Sequence, residues 1–412
     1  MRDLTMPRVD GGRLMERIEI LGRVGMKPDG SCCRLALSDE DKLGRDLVVS
    51  WMRELGLEVR IDKVGNILGI RKGLKKLPPV MTGSHIDTVG TGGKFDGNLG
   101  VLAGLEVVRV LNDAGMETDR PLAVAVFTDE EGARFQPDML GSLVFAGGMD
   151  VDSALAVRGI DGTVFGEELS RIGYSGPMEP GAVVPSAFVE LHIEQGPILD
   201  QAGESVAAVH NLQGISWQEV TVSGKANHAG TTPMSMRHDA GYGAARTVCF
   251  VRDLALELGG TQVATVGAMR FEPDLVNVIP RRATFTVDLR NTDETTLKKA
   301  ESRLEYFLHS LETEQGLEIS AKRLARFEPV TFDETIVSIV VEEASALGHR
   351  CRRMTSGAGQ DAQMLARMCP TAMIFVPSIG GVSHNPAEST RPMHVELGAN
   401  VLLATMLRLS KA

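Results

Sequence analysis

The sequence lacks the features that mark disulfide-stabilised, membrane-spanning and nucleic-acid-binding proteins. Its five cysteines form no C-x-x-C pair and no Cys/His zinc-finger spacing, which is typical of a reducing compartment. No stretch reaches the roughly 18 apolar residues of a membrane span, and residues 1–22 contain no apolar signal core. The net charge of −11 disfavours a nucleic-acid or anionic-membrane partner. The expected location is therefore the cytoplasm.

The chain also lacks internal repeats and low-complexity tracts, and its 412 residues exceed one ordinary core. Buried strands alternate with helical patterns at first, which predicts an α/β layer with a largely parallel sheet. Between residues 213 and 328 the predicted order becomes β-α-β-β-α-β, the ferredoxin-like arrangement, with one strand at Gln262–Arg270. The predicted fold is a larger α/β domain with a mixed, largely parallel sheet, formed by residues 1–212 and 329–412 and interrupted by a ferredoxin-like α+β domain of residues 213–328.

A histidine and two aspartates surround the end of the predicted strand Val80–Gly83. His85 and Asp87 form an H-x-D pair, in which Asp87 can fix one ring nitrogen while the other binds a metal. Asp96 follows in a glycine-rich loop, where the backbone can fold closely around an ion. The H-x-D pair is weak evidence alone, because short polar loops often contain one by chance.

Two adjacent glutamates, Glu130 and Glu131, follow the predicted strand Leu122–Phe127. In open α/β sheets, active sites lie beyond the carboxyl ends of the strands. One carboxylate at such a position can bind a metal while the other moves a proton. A solvated acidic turn is the alternative interpretation of this segment.

Two histidines lie at other predicted strand ends: His192 in the strand Ala187–Ile193 and His384 in the loop after Ile374–Val376. A lone histidine in a buried strand is more often a core residue than a ligand, and a loop histidine is equally ambiguous. The four segments together are more informative than each alone. Four predicted strand ends carry His, Asp or Glu, in a chain with only nine histidines. Such mixed nitrogen and oxygen ligands, without thiols, argue against a purely structural zinc site.

Several longer motifs then occur in a fixed order along the chain. They are GSHIDTV, GGKFDGNLGVLAGLEV, FTDEEGARF, LHIEQGP, ANHAGTTPM, NVIP with a following DLR, SGAGQDA and SHNPAE. With them the chain resembles the N-carbamoyl-L-amino acid hydrolase and allantoate amidohydrolase branch of the M20 metallopeptidase-like amidohydrolases, over nearly its whole length. The resemblance implies hydrolysis of the amide C–N bond of an N-carbamoyl-L-amino acid or similar ureido acid. Allantoate, an N-acyl amino acid or another amide are alternative substrates, and a catalytically silent metal-binding protein is the alternative outside enzymes.

The resemblance also implies two divalent ions per subunit in the larger, catalytic domain. His85, Asp96 and His192 would bind one ion, and Asp96, Glu131 and His384 the other, so that Asp96 bridges them. Zinc, manganese, nickel and cobalt all suit these ligands.

The resemblance also implies catalytic roles for three residues. Glu130 would be the general base that activates water and later protonates the leaving nitrogen, and Asp87 would orient His85. His228, in the inserted domain, would reach the active site of the partner subunit and help to stabilise the oxyanion. The resemblance therefore implies an obligate homodimer, with the insert acting as a dimerisation and lid domain.

Asn277 and Arg290 would form a clamp for the substrate carboxylate, because a guanidinium matches a carboxylate with two hydrogen bonds. Without the resemblance, Arg290 would be taken for a solvated residue at a strand end. Gln195, beside His192, fits the family pattern and is expected at the substrate site.

The loop containing Gly357, Ala358 and Gln360 is expected to line the site near the scissile group. The family usually has histidine where this chain has Gln360. Glutamine can donate and accept hydrogen bonds, but it cannot carry a charge or relay a proton. The metal ligands are unaffected by this difference, so hydrolysis is still predicted, whereas the identity of the substrate is left open.

Overall fold

The computed structural model describes residues 7–412, which form two compact units. One unit comprises the chain up to residue 210 together with residues 331–412, and the other comprises residues 211–330. Residues 1–6 lie outside the described residues. They are part of residues 1–22, for which the sequence predicts no signal core. None of the helices formed by residues 7–412 combines the length and the apolar character that a membrane crossing requires.

The larger unit begins with two helices, after which groups of strands and helices follow one another. In chain order they are α1 (Gly11–Gly22), α2 (Asp39–Glu54), β1 (Glu58–Ile61), β2 (Ile67–Arg71), β3 (Val80–His85), α3 (Asn98–Asp113), β4 (Leu122–Phe127), α4 (Leu140–Phe145), α5 (Val151–Leu155), α6 (Phe165–Arg171), β5 (Ala187–Ile193), α7 (Ile198–Ala202) and β6 (Ala207–Leu212). The predicted first helix, residues 12–27, ends earlier than expected, and a turn follows it because Gly25 adopts a φ of 86°.

The second unit has the chain order β-α-β-β-β-α-β, one strand more than the predicted β-α-β-β-α-β. Its elements are β7 (Gly214–Ser223), α8 (Ala240–Leu258), β8 (Val263–Thr265), β9 (Met269–Glu272), β10 (Arg282–Asn291), α9 (Glu294–Gln315) and β11 (Glu318–Phe327). The sheet order is β11-β7-β10-β8, with β9 also on β10, and these pairings are antiparallel. Apolar side chains of both helices and of β7 and β10 form its core.

One predicted strand of this unit, Gln262–Arg270, is instead two short strands. Thr265 pairs with Asp288 and Met269 pairs with Phe285. Residues 266–268 therefore lie opposite residues 286–287, and the extra residue interrupts the ladder as a bulge does.

The remainder of the larger unit completes its sheet. It contains β12 (Val330–Thr331), α10 (Glu334–Ala346), β13 (Arg352–Ser356), α11 (Asp361–Leu365), β14 (Thr371–Val376) and α12 (Pro392–Leu409). The sheet order is β1-β2-β4-β3-β5-β14-β6-β12, and β13 pairs with β6.

Four adjacent strands at the centre of this sheet, β4, β3, β5 and β14, are parallel. The neighbouring pairings of β2 with β4 and of β14 with β6 are antiparallel, so the mixed α/β fold predicted from the sequence is confirmed. Every residue of the four central strands is buried, as a parallel sheet requires. Because these strands run in one direction, their carboxyl ends share one edge of the sheet.

Candidate metal centre and active site

The shared edge carries most of the polar residues that the sequence singles out. His85 ends β3, the acidic segment 128–131 follows β4, and His192 is the penultimate residue of β5. His384 lies in the loop between β14 and α12, and Asp96 lies just before α3. Folding therefore gathers these side chains at the position that open α/β sheets use for ligands.

His85, Asp96 and His192 form a buried group whose ligand atoms lie within 4.8 Å of one another. Oδ1 of Asp96 is 3.1 Å from Nε2 of His192 and 3.7 Å from Nε2 of His85. Nδ1 of His85 is 3.0 Å from the carbonyl oxygen of Asp87, and Nδ1 of His192 is 2.9 Å from that of Ile193. Since a carbonyl only accepts, each Nδ1 carries a proton, and each Nε2 is the ring nitrogen that faces Asp96.

A cation fits this first group. Nε2 of His85 is buried and has no hydrogen-bond partner within residues 7–412, which is costly unless another species supplies one. Burial lowers the pKa of His85 to about 4, so the ring is neutral at neutral pH and its lone pair is available. Burial lowers the pKa of His192 too, but the contact with Asp96 outweighs it and raises that pKa to about 9, so a divalent ion would displace the proton on its Nε2. Two imidazoles and a carboxylate are ligands that suit such an ion.

Asp96, Glu131 and His384 form a second group, again with ligand atoms within 4.8 Å of one another. Nε2 of His384 is 3.3 Å from Oδ2 of Asp96 and 3.2 Å from Oε2 of Glu131. Asp96 thus offers Oδ1 to the first group and Oδ2 to the second, as a bridging ligand does. The His384 side chain is 48% exposed, so the second group opens to solvent whereas the first is enclosed.

Glu130 belongs to neither ligand group but lies beside the first. Its Oε2 is 3.3 Å from Nε2 of His85, and its side chain is only 8% exposed. Burial raises the pKa of Glu130 well above its ordinary value, and the nearby carboxyls of Asp361 and Glu131 raise it further. Such a carboxyl can take up a proton and return it, as general catalysis near neutral pH requires.

Asp87 orients His85 through its backbone rather than through its carboxylate. The carbonyl oxygen of Asp87 accepts from Nδ1, while its Oδ1 lies 3.8 Å from that nitrogen. The carboxylate instead accepts the backbone N–H groups of Glu130 and Glu131, each at 3.2 Å. Asp87 therefore fixes the acidic segment after β4 as well as the imidazole.

Glu388 was missed as a site residue, although its motif was noted. Its Oε1 accepts the backbone N–H groups of Phe95 and Asp96 at 3.0 and 3.1 Å, and its Oε2 lies 3.0 Å from Ser383 Oγ. A Cβ at Gly93 would lie 2.2 Å from Oε1, so only glycine lets the loop close over this carboxyl. Glu388 is 4% exposed and holds Asp96 through its backbone.

Two further buried carboxyls, Glu190 and Asp361, also escaped the sequence analysis. Glu190 accepts from Ser84 Oγ at 2.7 Å and from the backbone N–H of Ala362 at 2.8 Å. Its position two residues before His192 puts both side chains on the same face of β5, a signal that strand alternation could have supplied. Asp361 begins α11 and raises the pKa of Glu130 by its charge.

Gln195 and Gln360 are joined to the metal-ligand groups by hydrogen bonds. Nε2 of Gln195 donates to Oδ2 of Asp96 at 2.8 Å, and Nε2 of Gln360 donates to Oε1 of Gln195 at 2.7 Å. Gly357 and Ala358 lie in the loop between β13 and α11, where Ala358 is bonded to Ser356 Oγ. Their contact with substrate remains a prediction.

The other three predicted site residues, His228, Asn277 and Arg290, lie in the second unit. Nδ1 of His228 accepts the backbone N–H groups of Gly230 and Thr231 at 3.0 and 3.2 Å. A neutral His228 therefore carries its proton on Nε2 and is a hydrogen-bond donor there. The exposed Asn277 accepts the N–H of Ala229 through its backbone.

Arg290 is held in one orientation by its neighbours on the sheet. Its Nε lies 3.1 Å from both carboxylate oxygens of Asp288, and its guanidinium lies 5.8 Å from the ring centre of Trp217. Its side chain is 23% exposed, so the arginine is neither fully solvated nor sealed.

The chain is similar to known proteins over nearly its whole length. The model of peptidase family M20/M25/M40 matches residues 81–408. The chain is 42% identical over 401 residues to the N-carbamoyl-L-amino-acid amidohydrolase of Rhizobium meliloti, covering 97% of this chain and 96% of that protein. It is 38% identical over 410 residues to the N-carbamoyl-L-amino acid amidohydrolase of Geobacillus stearothermophilus, covering 98% and 99%. A solved amidase of the hydantoinase/carbamoylase family from Burkholderia multivorans superposes with a TM-score of 0.92 at 44% identity, covering 98% and 99%.

Proposed function

Because the chain belongs to peptidase family M20/M25/M40, we propose that it is a metal-dependent amidohydrolase that cleaves the carbamoyl C–N bond of an N-carbamoyl-L-amino acid. The observation that carries the proposal is the pair of ligand groups that share Asp96, with Glu130 free beside them. The products are the amino acid and carbamic acid, which decomposes to carbon dioxide and ammonia.

The metal centre in this proposal uses the two groups described above. His85, Asp96 and His192 would hold one divalent ion, and Asp96, Glu131 and His384 the other. Bound ions of this kind lower the pKa of water and stabilise negative charge on the scissile carbonyl oxygen. Zinc, manganese, nickel and cobalt all suit the ligands, and cysteine takes no part because all five thiols are free and lie outside both groups. The free thiols also support the proposed cytoplasmic location.

Glu130 would move the proton in this reaction. Its Oε2 would take a proton from the attacking water and then pass it to the leaving nitrogen, so that the amine departs neutral. The buried position supports both steps, because its raised pKa allows the carboxyl to hold the proton between them. The bonds from its own N–H and that of Glu131 to Asp87 keep the acidic segment in place meanwhile.

The proposed active enzyme is a homodimer. His228 would complete the site of a partner subunit in a homodimer, donating from Nε2 to the developing oxyanion. Its exposed position and its proton on Nε2 support this role. Asn277 and Arg290 would bind the substrate carboxylate.

Replacing Arg290 with Ala is expected to raise KM for N-carbamoyl-L-amino acids by about 10- to 150-fold, with little change in kcat. Charge-assisted hydrogen bonds to a carboxylate contribute about 1.5–3 kcal/mol, and about 1.4 kcal/mol corresponds to tenfold. Steady-state kinetics on a carbamoyl amino acid and on its uncharged amide measure the effect. The exposed Arg281 of the same unit provides the matched control, Arg281→Ala. Equal changes in KM for the charged and uncharged substrates would remove Arg290 from the clamp.

The substrate proposal is tested by ammonia release from the zinc- or manganese-loaded protein. The panel contains N-carbamoyl-L-amino acids, allantoate and N-acyl amino acids, and a parallel assay for free amino acid detects deacylation, which releases no ammonia. Turnover of the carbamoyl compounds is expected. Turnover of allantoate alone would show that allantoate, and not an N-carbamoyl-L-amino acid, is the substrate. Deacylation alone would show that the protein hydrolyses N-acyl amino acids.

A further inference from the structure

The side-chain amides of Gln360 and Gln195 form a series of hydrogen bonds that ends at the carboxylate of Asp96. Nε2 of Gln360 donates to Oε1 of Gln195 at 2.7 Å, and Nε2 of Gln195 donates to Oδ2 of Asp96 at 2.8 Å. Gln360 precedes the helix Asp361–Leu365 and is 1% exposed. These two hydrogen bonds therefore connect Gln360 to the carboxylate that both ligand groups share.

The direction of these hydrogen bonds is fixed by chemistry. A carboxylate that binds metal is ionised and only accepts, so Gln195 must turn its NH₂ group towards Asp96. Its carbonyl oxygen then faces Gln360, which must in turn present its own NH₂ group. A donor at position 360 therefore satisfies the carbonyl oxygen of Gln195 while the NH₂ group of Gln195 donates to Asp96.

Gln195 is held tightly by its backbone as well. It adopts a φ of 58°, in the left-handed region that residues other than glycine rarely occupy. Its backbone N–H donates to Ser378 Oγ at 3.0 Å. With the backbone fixed, only the side-chain torsions of Gln195 can move its amide, and the hydrogen bond from Gln360 restrains them.

Oδ2 of Asp96 is the oxygen that the second ligand group uses. Besides the bond from Gln195 it lies 3.3 Å from Nε2 of His384 and 3.1 Å from Ser383 Oγ. A carboxylate oxygen can accept from an amide while it binds a metal, since it has two lone pairs. Loss of the amide donor would let the carboxylate rotate, and both ligand groups depend on its orientation.

We propose that Gln360 is a positioning residue of the metal centre, which acts through Gln195 to hold Asp96 in its bridging orientation. The inference rests on the proposed two-metal site. It gives position 360 a role that requires a hydrogen-bond donor but no charge. Histidine, which the family resemblance leads one to expect at this position, also has an N–H group, so either residue type can supply the donor.

The experiment compares Gln360→His with Gln360→Met by titrating Zn²⁺ into the metal-free proteins against a competing chelator. Met matches the length and unbranched shape of Gln but has no N–H group, whereas His differs in shape and keeps a donor. Of the two Zn²⁺ ions, the one that wild type holds less tightly should bind the Met variant with about 10- to 100-fold lower affinity. That is the usual effect of removing a group that orients a metal ligand. The His variant is expected to bind close to wild type. A role in packing alone predicts the opposite order, and that order would overturn the proposal.

A double-mutant cycle tests whether Gln360 acts through Gln195. Gln195→Met alone should weaken Zn²⁺ binding as Gln360→Met does, and the double variant should lose no more than Gln195→Met. Additive losses would show that Gln360 acts independently and would refute the mechanism. Thermal melting of the metal-free variants checks the fold, and Gln360→Leu, which also lacks a donor, replaces the Met variant should that one not fold.

The two proposals fail in different ways in this titration. Wild-type protein that binds no Zn²⁺ would contradict the metal centre itself. Wild-type protein that binds two ions, together with a Gln360→Met variant that binds them equally well, would contradict only the role of Gln360. Both outcomes are measured as Zn²⁺ binding, so neither depends on turnover or on the choice of substrate.

Discussion

Replacing Glu130 with Gln is expected to lower kcat by about 10²- to 10⁴-fold, the usual contribution of a general acid–base residue, while both metal ions stay bound. Gln keeps the size of the side chain but cannot take a proton from water or return one to the leaving nitrogen. Glu130 is absent from both ligand groups, so the metal content should not change. Turnover of an N-carbamoyl-L-amino acid and metal analysis of the same sample provide the two measurements.

The same substitution at an exposed glutamate, Glu117→Gln, is the matched control and should behave as wild type. Unchanged turnover in Glu130→Gln would remove Glu130 from its proposed role. Loss of metal together with turnover would instead place Glu130 among the ligands, a distinction that kinetics alone could not make.

Replacing Asp96 with Asn is expected to abolish binding of both ions and to reduce turnover by about 10³-fold or more. Asp96 contributes to both ligand groups, and Asn removes its charge and one of its two acceptor oxygens. The activity estimate follows from the several kcal/mol of charge stabilisation that a catalytic metal supplies. Metal content after dialysis and kcat with excess metal measure the two effects.

His384→Ala is the informative comparison, because His384 belongs to the second group alone. It should lose one ion and keep the enclosed first site, while the exposed His349→Ala should keep both. Retention of both ions by Asp96→Asn would contradict a shared ligand. Loss of only one would show that Asp96 serves a single site.

The chain order of the fold was largely predictable from hydrophobic patterns. The four central strands are mostly apolar and are buried along their whole length, and such runs between helical segments indicate a parallel sheet. The division of Gln262–Arg270 into two strands was not predictable, because the bulge depends on how residues 266–268 meet β10. Register is a property of the paired strands rather than of either sequence alone.

The family predicted from the ordered motifs is confirmed by the match to its model and by relatives of 42% and 38% identity. The candidate ligands drew attention because His, Asp and Glu near the ends of buried strands are few and conspicuous. Their roles, and those of His228, Asn277 and Arg290, stay predictions that the variants above test.

By itself the sequence determined the family, the order of the elements and the candidate ligands, since these depend on residue type and spacing along the chain. Only the tertiary structure decided how the ligands are supported. Glu388 meets the backbone of Asp96, Asp87 uses its carbonyl for His85 and its carboxylate for the acidic segment, and Gln360 reaches Asp96 through Gln195. These contacts join residues from separate loops, and a hydrogen bond depends on distance and direction in space. No local pattern in the chain encodes either quantity.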